Sequence, residues 1–451
     1  MKKIILFLFL SLLLNDLLVG NAANEGVDRN FSLKVASASS EVTSLLPSIN
    51  IPNDNPEDTN AVDPRKYGAK GDGTTDDAVA IQQSIDMCAQ NGGGIVVLKN
   101  GIFLSSPLAL KTGVYLKVEA PAVLKAVSYA DYPGANSGSK SKPAPLVGAR
   151  NASHIGVFGN GTIDGNGQDW WRTQGWQGED LPKLKIANEV NRPYLVNFIN
   201  SSDIIVKDIT LQNSAQFNLV PQNSDNVVIS KVTIHNPANS HNTDGIDPSG
   251  SNIFIDGCTI DTGDDNIAIK GHNGYTKNVY ITNCTFYHGH GLSIGSDFER
   301  GVENVYAKNI TFINTEIGIR IKSARDRGGL VNNIHYSNLM MKNVGQAIEI
   351  TEYYPKIPLA GEDTAQDMTV TTPQYKNITI SGVMATAKKA AGAIVGLPES
   401  LIQDVTLTNV TISAPKGLTV RNAQVVMSQT TIQAAKSSDY IMEENSSIIK
   451  K

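Results

Sequence analysis

The chain has 451 residues, 41% of them hydrophobic and 18% charged, which is too apolar for a disordered polypeptide and suits a packed core. A formal net charge of −5 and a sequence pI near 5.8 exclude a basic nucleic-acid binder and a cationic membrane protein. The three cysteines, Cys88, Cys258 and Cys284, are odd in number and lack the spacing of a zinc site.

At the N-terminus Lys2 and Lys3 precede residues 4–14, apolar throughout but for Ser11, and the small residues Gly20, Ala22 and Ala23 follow. That apolar run is too short to span a bilayer, so residues 1–23 are expected to be a signal peptide. A secreted or periplasmic protein, free of the membrane after cleavage, is the expectation. Residues 24–60, rich in Ser, Asn, Glu and Pro, read as a flexible spacer. Residues 61–451 are then one domain. Thr74-Thr75-Asp76-Asp77 offers helix caps, and Ile81, Ile85 and Cys88 fall on one helical face. Asn91-Gly92-Gly93-Gly94 stops this short N-terminal capping helix, and Ile95-Val96-Val97-Leu98 reads as a buried strand.

From residue 202 onward the chain repeats. Asn or Asp precedes a Val/Ile-rich run at positions 203, 226, 252, 278, 304 and 333, at intervals of 23, 26, 26, 26 and 29 residues. Weaker copies start at Asn377 and Asp404. Each copy holds short runs of Val, Ile, Thr and Phe broken by Asn, Gly or Ser. A period of this size marks a solenoid, and runs this short exclude helices. The expected fold is all-β: a single right-handed parallel β-helix. Asn at the corners tolerates left-handed backbone and bonds within turns. The Asn-x-Thr triplets at Asn283, Asn309, Asn377 and Asn409 therefore read as repeat chemistry rather than glycan sites. Cys258 and Cys284 take the same place in neighbouring copies and read as two small core residues rather than a disulfide.

Unusual polar groups recur at one level of this repeat. Asn242-Thr243-Asp244, Gly263-Asp264-Asp265 and Gly289-His290-Gly291 each precede a short strand, Arg320-Ile321-Lys322 lies on the next, and Tyr353-Tyr354 follows the one after. Stacked coils would gather three carboxylates, an imidazole and two cations on one wall. Like charges and burial raise the pKa of at least one carboxyl, leaving an acid beside bases. That equips a site for glycoside hydrolysis, with inversion and retention both open on spacing alone. Arg320 and Lys322 share a strand parity and can together bind a substrate carboxylate. The residues Trp170, Trp171 and Trp176 sit in one loop and suit either sugar stacking or packing.

On these four motifs, in this order, the chain resembles the polygalacturonase family of glycoside hydrolases. Lys66-Tyr67-Gly68 and Gly161-Thr162-Ile163-Asp164-Gly165 resemble that family's opening segments, and the likeness runs from about residue 62 to 430. The resemblance implies an inverting hydrolase of galacturonan, an anionic polysaccharide. Asp264 would be the general acid, Asp244 and Asp265 would activate water, and His290 would assist the acid. Asn242, Arg320, Lys322 and Tyr354 would bind substrate, with Tyr353 the competitor for the last role. No metal or cofactor is implied, nor a nucleic-acid partner, and a monomer is expected. Gly295-Ser296-Asp297 departs from the pattern, where Glu is more usual than Asp. A β-helix polysaccharide lyase, a non-catalytic glycan-binding β-helix and a hydrolase of substituted pectin such as rhamnogalacturonan are the alternatives.

Overall fold

The computed structural model describes residues 61–135, 141–179, 190–272 and 274–451; the expected signal peptide and spacer lie outside the described residues. Strands dominate these residues, and every paired strand that shapes the repeat runs parallel to its neighbour. The chain is a parallel β-helix, its coils taking the right-handed sense usual for parallel crossovers.

The repeat units stack in the register their spacing predicts. Ile204, Val227, Ile253, Val279, Val305, Ile334, Ile378 and Val405 form one continuous column through successive coils. All eight are fully buried. β-Branched side chains suit this pleated, interior-facing row because their rotamers are already restricted. Cys258 and Cys284 sit in adjacent coils beside the paired Thr259 and Thr285, buried and without a disulfide.

A second column stands at the corners. Asn226, Asn252, Asn278, Asn304 and Asn333 all hold left-handed backbone, with φ between 54° and 58°. Their side chains bond between coils rather than within a turn: each amide donates to the preceding coil's Asp203, Asn226, Asn252, Asn278 or Asn304, at 2.6–3.1 Å. Asn309 likewise donates to Asn283 and Asn377 to Asn332, and Asn283, Asn309, Asn377 and Asn409 all hold left-handed backbone.

The expected helix is Ala78–Gln90, with Ile81, Ile85 and Cys88 buried. Asp77 does not cap it by its side chain; its carboxylate instead accepts from the backbone N–H groups of Lys70 and Gly71.

One sheet positions the site. Leu108–Ala109, Val147–Arg150, Val196–Ile199 and Leu219–Gln222 stack in order. Single bridges from Leu219 to Ile246 and from Ile246 to Ile267 carry the stack onward. Ile267–Ile269, Leu292–Gly295, Ile317–Lys322 and the end of Leu330–Thr351 continue it.

The corner ladder yields a test. Asn278→Ala loses two inter-coil hydrogen bonds and places a Cβ-bearing residue without polar compensation in left-handed backbone, an expected loss of about 2–3 kcal/mol. Asn278→Gly keeps the backbone freedom and should lose about 1 kcal/mol less. Denaturant unfolding checks this; equal losses for the two variants would remove the backbone argument.

Candidate active site

The corners that precede the sheet strands carry the polar motifs, and backbone bonds staple these corners together. The Gly245 N–H donates to the Asp265 carbonyl, and the His290 N–H to the Asp264 carbonyl. Thr243 Oγ1 accepts from the Gly263 N–H, and buried Asn266 accepts from the Gly291 N–H. Glycine at 289 and 291 is a steric need: a Cβ would lie 2.4 Å from the Asp264 carbonyl oxygen and 2.1 Å from that of Ile317. Thr259 pairs with Thr285, an offset of 26 residues, whereas Ile267 pairs with Leu292, an offset of 25. The corner with His290 is thus one residue shorter than the corner with Asp264 and Asp265, and it slides the imidazole over both carboxylates.

His290 Nδ1 lies 3.0 Å from Asp264 Oδ1 and 4.0 Å from Asp265 Oδ1. Asp265 accepts from Lys322 Nζ at 2.7 Å and from the Ser293 hydroxyl at 2.8 Å. Asp244 is buried, and its Oδ1 has no hydrogen-bond partner among the described residues. Asn242 does not stand free in the cleft: its oxygen accepts from Arg192 at 2.8 Å, and its amide reaches Asp264 at 3.4 Å. Arg320 donates through Nε to Glu349 at 2.6 Å. Tyr354 presents its ring to both Arg320 and Lys322, 5.9 and 5.4 Å from its centroid. Tyr353 turns elsewhere, donating to Asp363 in a cluster with Arg325.

The titratable groups fall into two kinds. Burial pushes the Asp244 carboxyl well above the usual range, and the charges of Asp264, Asp247 and Asp265 add to it. Burial also opposes the charge of Asp264, but the hydrogen bond and charge of His290 outweigh it and hold that carboxyl low. Burial alone would lower the His290 pKa; hydrogen bonds to Asp264 and Glu316 raise it to about 9. Asp244 thus favours its proton and Asp264 its charge, and beside them burial lifts the Asp247 carboxyl to about 7. Asp264, Asp265 and His290 could each offer a metal one ligand atom, all within 4.8 Å of one another. The Lys322 ammonium already supplies a cation to Asp265.

Several contributors carry no motif. Arg192 is buried and clamps the Asn242 corner, donating also to the carbonyls of Ala215 and His241. Glu316 holds the second imidazole nitrogen of His290 at 3.1 Å. Asp247 and Lys270, 3.6 Å apart, lie beside Asp244. The one local signal was strand parity: Lys270 extends the strand Ile267–Ile269 as Lys322 ends Ile317–Lys322. Of the tryptophans, Trp170 and Trp171 are fully buried, Trp170 edge-on to Tyr129 and Tyr132. Packing is their role.

A model of glycosyl hydrolases family 28 matches residues 100–431. An endo-polygalacturonase of Pectobacterium carotovorum subsp. carotovorum is 33% identical over 369 residues, covering 76% of this chain and 86% of that protein. A probable polygalacturonase of Vitis vinifera is 30% identical over 371 residues, covering 77% and 73%. The solved polygalacturonase of Erwinia carotovora ssp. carotovora superposes with a TM-score of 0.59 at 29% identity, over 83% of this chain and 94% of that one. A hyperthermoactive exopolygalacturonase of Thermotoga maritima shares the fold, with a TM-score of 0.73 at 24% identity over 90% and 96%.

The His290 ion pairs predict a pH-dependent stability. Because the folded pKa is raised, to about 9, the contribution is fully present below the unfolded value of about 6.5 and is lost as pH rises through about 9. The melting-temperature gap between wild type and His290→Gln should be widest near pH 6 and should narrow above about pH 9. A gap constant from pH 5 to 10 would show that His290 gains nothing from these carboxylates.

Proposed function

The chain belongs to glycosyl hydrolases family 28, and from that premise we propose that it hydrolyses α-1,4-linked galacturonan by acid/base catalysis at Asp244, Asp264 and Asp265. The observation that carries the reading is the convergence of these carboxylates with His290, Arg320 and Lys322 at one level of the coil, where burial and partners push Asp244 and Asp264 in opposite directions. Glycoside cleavage needs that inequality: one group protonates the leaving oxygen while another takes the proton of the attacking water.

Asp264 is the general acid in this mechanism. Its proton is stored on His290, 3.0 Å away, and is handed across as the leaving oxygen gains charge. Asp265, ion-paired to Lys322, takes the proton of the attacking water, and Asp244 holds that water in place. Water attacks on the face opposite the leaving group, so the anomeric configuration inverts. Arg320 has its two terminal nitrogens without a hydrogen-bond partner among the described residues, and these suit bidentate binding of a galacturonate carboxylate. Tyr354 walls that side, and Asn242 orients Asp264. A second reading makes Asp244 the acid, because burial raises its carboxyl while that of Asp264 is held low. We propose also that residues 1–23 direct export and are removed, which places the enzyme where extracellular pectin is met.

Incubation with polygalacturonate should release reducing ends without an ultraviolet-absorbing product; an absorbing, unsaturated end would mean a lyase. Asp264→Asn should lower kcat by about 10³-fold or more with the fold intact, and an aryl leaving group should restore much of that loss. Rescue of Asp244→Asn instead would transfer the acid role. Arg320→Ala should raise KM about tenfold or more, the loss of a charge-assisted pair. The configuration of the first-formed product, read by proton NMR, decides inversion. The mass of the mature N-terminus, expected near residue 24, tests export.

A further inference from the structure

Next to the catalytic carboxylates lies a cavity of about 160 Å³ that the mechanism leaves unused. Asp247, Lys270, Tyr194, Phe217, Ser249 and Asp297 are among the residues that line it. Asp247 is 2% exposed, and neither of its carboxylate oxygens has a hydrogen-bond partner among the described residues. The neighbouring Lys270 is 3.6 Å away and donates to the Gly295 carbonyl at 2.9 Å. Native proteins rarely leave a buried polar atom unpaired unless a ligand or water meets it.

Position gives this carboxylate a direction. Ile246 bridges to Ile267, so Asp247 stands beside Ala268, which pairs with Ser293, which pairs with Arg320. Asp247 is therefore three coils before Arg320 on the same outward row, roughly 14 Å at ordinary strand spacing. Small residues, Ala268 and Ser293, floor the space between, and Asp265 bonds Ser293 there. The cavity shares Tyr194 and Gln222 with a groove of about 840 Å³ over the preceding coils. A polymer lying along the coils would thus cross Asp247 on one side of the cut and Arg320 on the other.

We propose that Asp247 is a specificity-determining residue: it accepts hydrogen bonds from free ring hydroxyls of the sugar on the side of the cut away from Arg320. The inference rests on the galacturonan reading and deepens it. The unpartnered Asp247 oxygens meet the cavity as acceptors, and ring hydroxyls are the donors a sugar can offer them. The sugar's acid group is left for the adjoining groove, which Lys142 lines with its ammonium 3.7 Å over the Tyr194 ring. Esterified hydroxyls have no proton to donate, and a site built to bond a hydroxyl rejects an analogue lacking it far more strongly than an apolar pocket could.

The test uses the full enzyme on polygalacturonate before and after partial O-acetylation. Wild type should lose at least about 100-fold in kcat/KM on acetylated substrate. Asp247→Ala and the near-isosteric Asp247→Asn should raise KM on the plain polymer about tenfold and shrink that discrimination to about tenfold or less. If Asp247 serves only to neutralise Lys270, both Asp247 variants and Lys270→Met will lower the melting temperature alike while KM and acetyl discrimination stay at wild-type values, and the proposal is overturned. Wild type that does not cut polygalacturonate at all would instead fail the galacturonan reading. Asp247→Asn guards against a misfolded alanine variant, and unchanged KM in a folded Asp247→Asn protein counts against the proposal.

Discussion

Each coil is hydrogen-bonded to the next in parallel register, and every other feature of the molecule follows from that lattice. A residue that faces outward on one coil has an outward neighbour one strand spacing away, about 4.8 Å, on the next. Groups 20 to 30 residues apart in the chain thereby become side-chain neighbours. Ser293, Arg320 and Glu349 are one such row; Gly295, Lys322 and Thr351 are another. The same lattice turns inward-facing Val and Ile into one continuous core, so the wall that carries the charges is braced along its whole length.

That bracing matters because the wall gathers charges that repel one another. Asp244, Asp247, Asp264 and Asp265 all feel each other's charge. Lys270, Lys322 and His290 stand among them as counter-charges. Taking one partner from a buried pair leaves an uncompensated charge, at a cost of about 3–5 kcal/mol. The arrangement is therefore both costly to form and sensitive to single substitutions. The charges are also distributed unevenly. Lys322 bonds Asp265, His290 bonds Asp264, and Asp244 has no such bond to its Oδ1. Neighbouring carboxyls of one chemical type acquire different proton affinities from burial and from their partners.

Glu316 and Arg192 stand one step behind the groups proposed to react. Glu316 accepts from the far nitrogen of protonated His290, which fixes the ring's tilt and leaves the Nδ1 proton for Asp264. Arg192 threads under the Asn242 corner and ties it to two backbone carbonyls. Rigid support of this kind keeps reacting groups in place without movement during turnover.

Much of this was legible in the sequence, for an identifiable reason. The period of the Asn-led repeats and the Val/Ile/Thr runs between them require a stacked coil, because no single repeat can bury its apolar face alone. Once stacking is granted, the motifs around Asp244, Asp264, Asp265, His290, Arg320 and Lys322 fall on one wall. What the sequence could not decide is contact at the scale of one residue. The single-residue shortening of the His290 corner, the burial of Trp170 and Trp171, and the turning of Tyr353 away from Tyr354 depend on how loops of unequal length close. Arg192, Asp247 and Glu316 bear no periodic mark, since a lone charge in a coil reads the same whether it meets water or a neighbour. Repeat, fold and the level of the site were thus determined along the chain by hydrophobic period. Which carboxyl keeps its proton was decided only in three dimensions, where partner distance and burial set the energy of each charge.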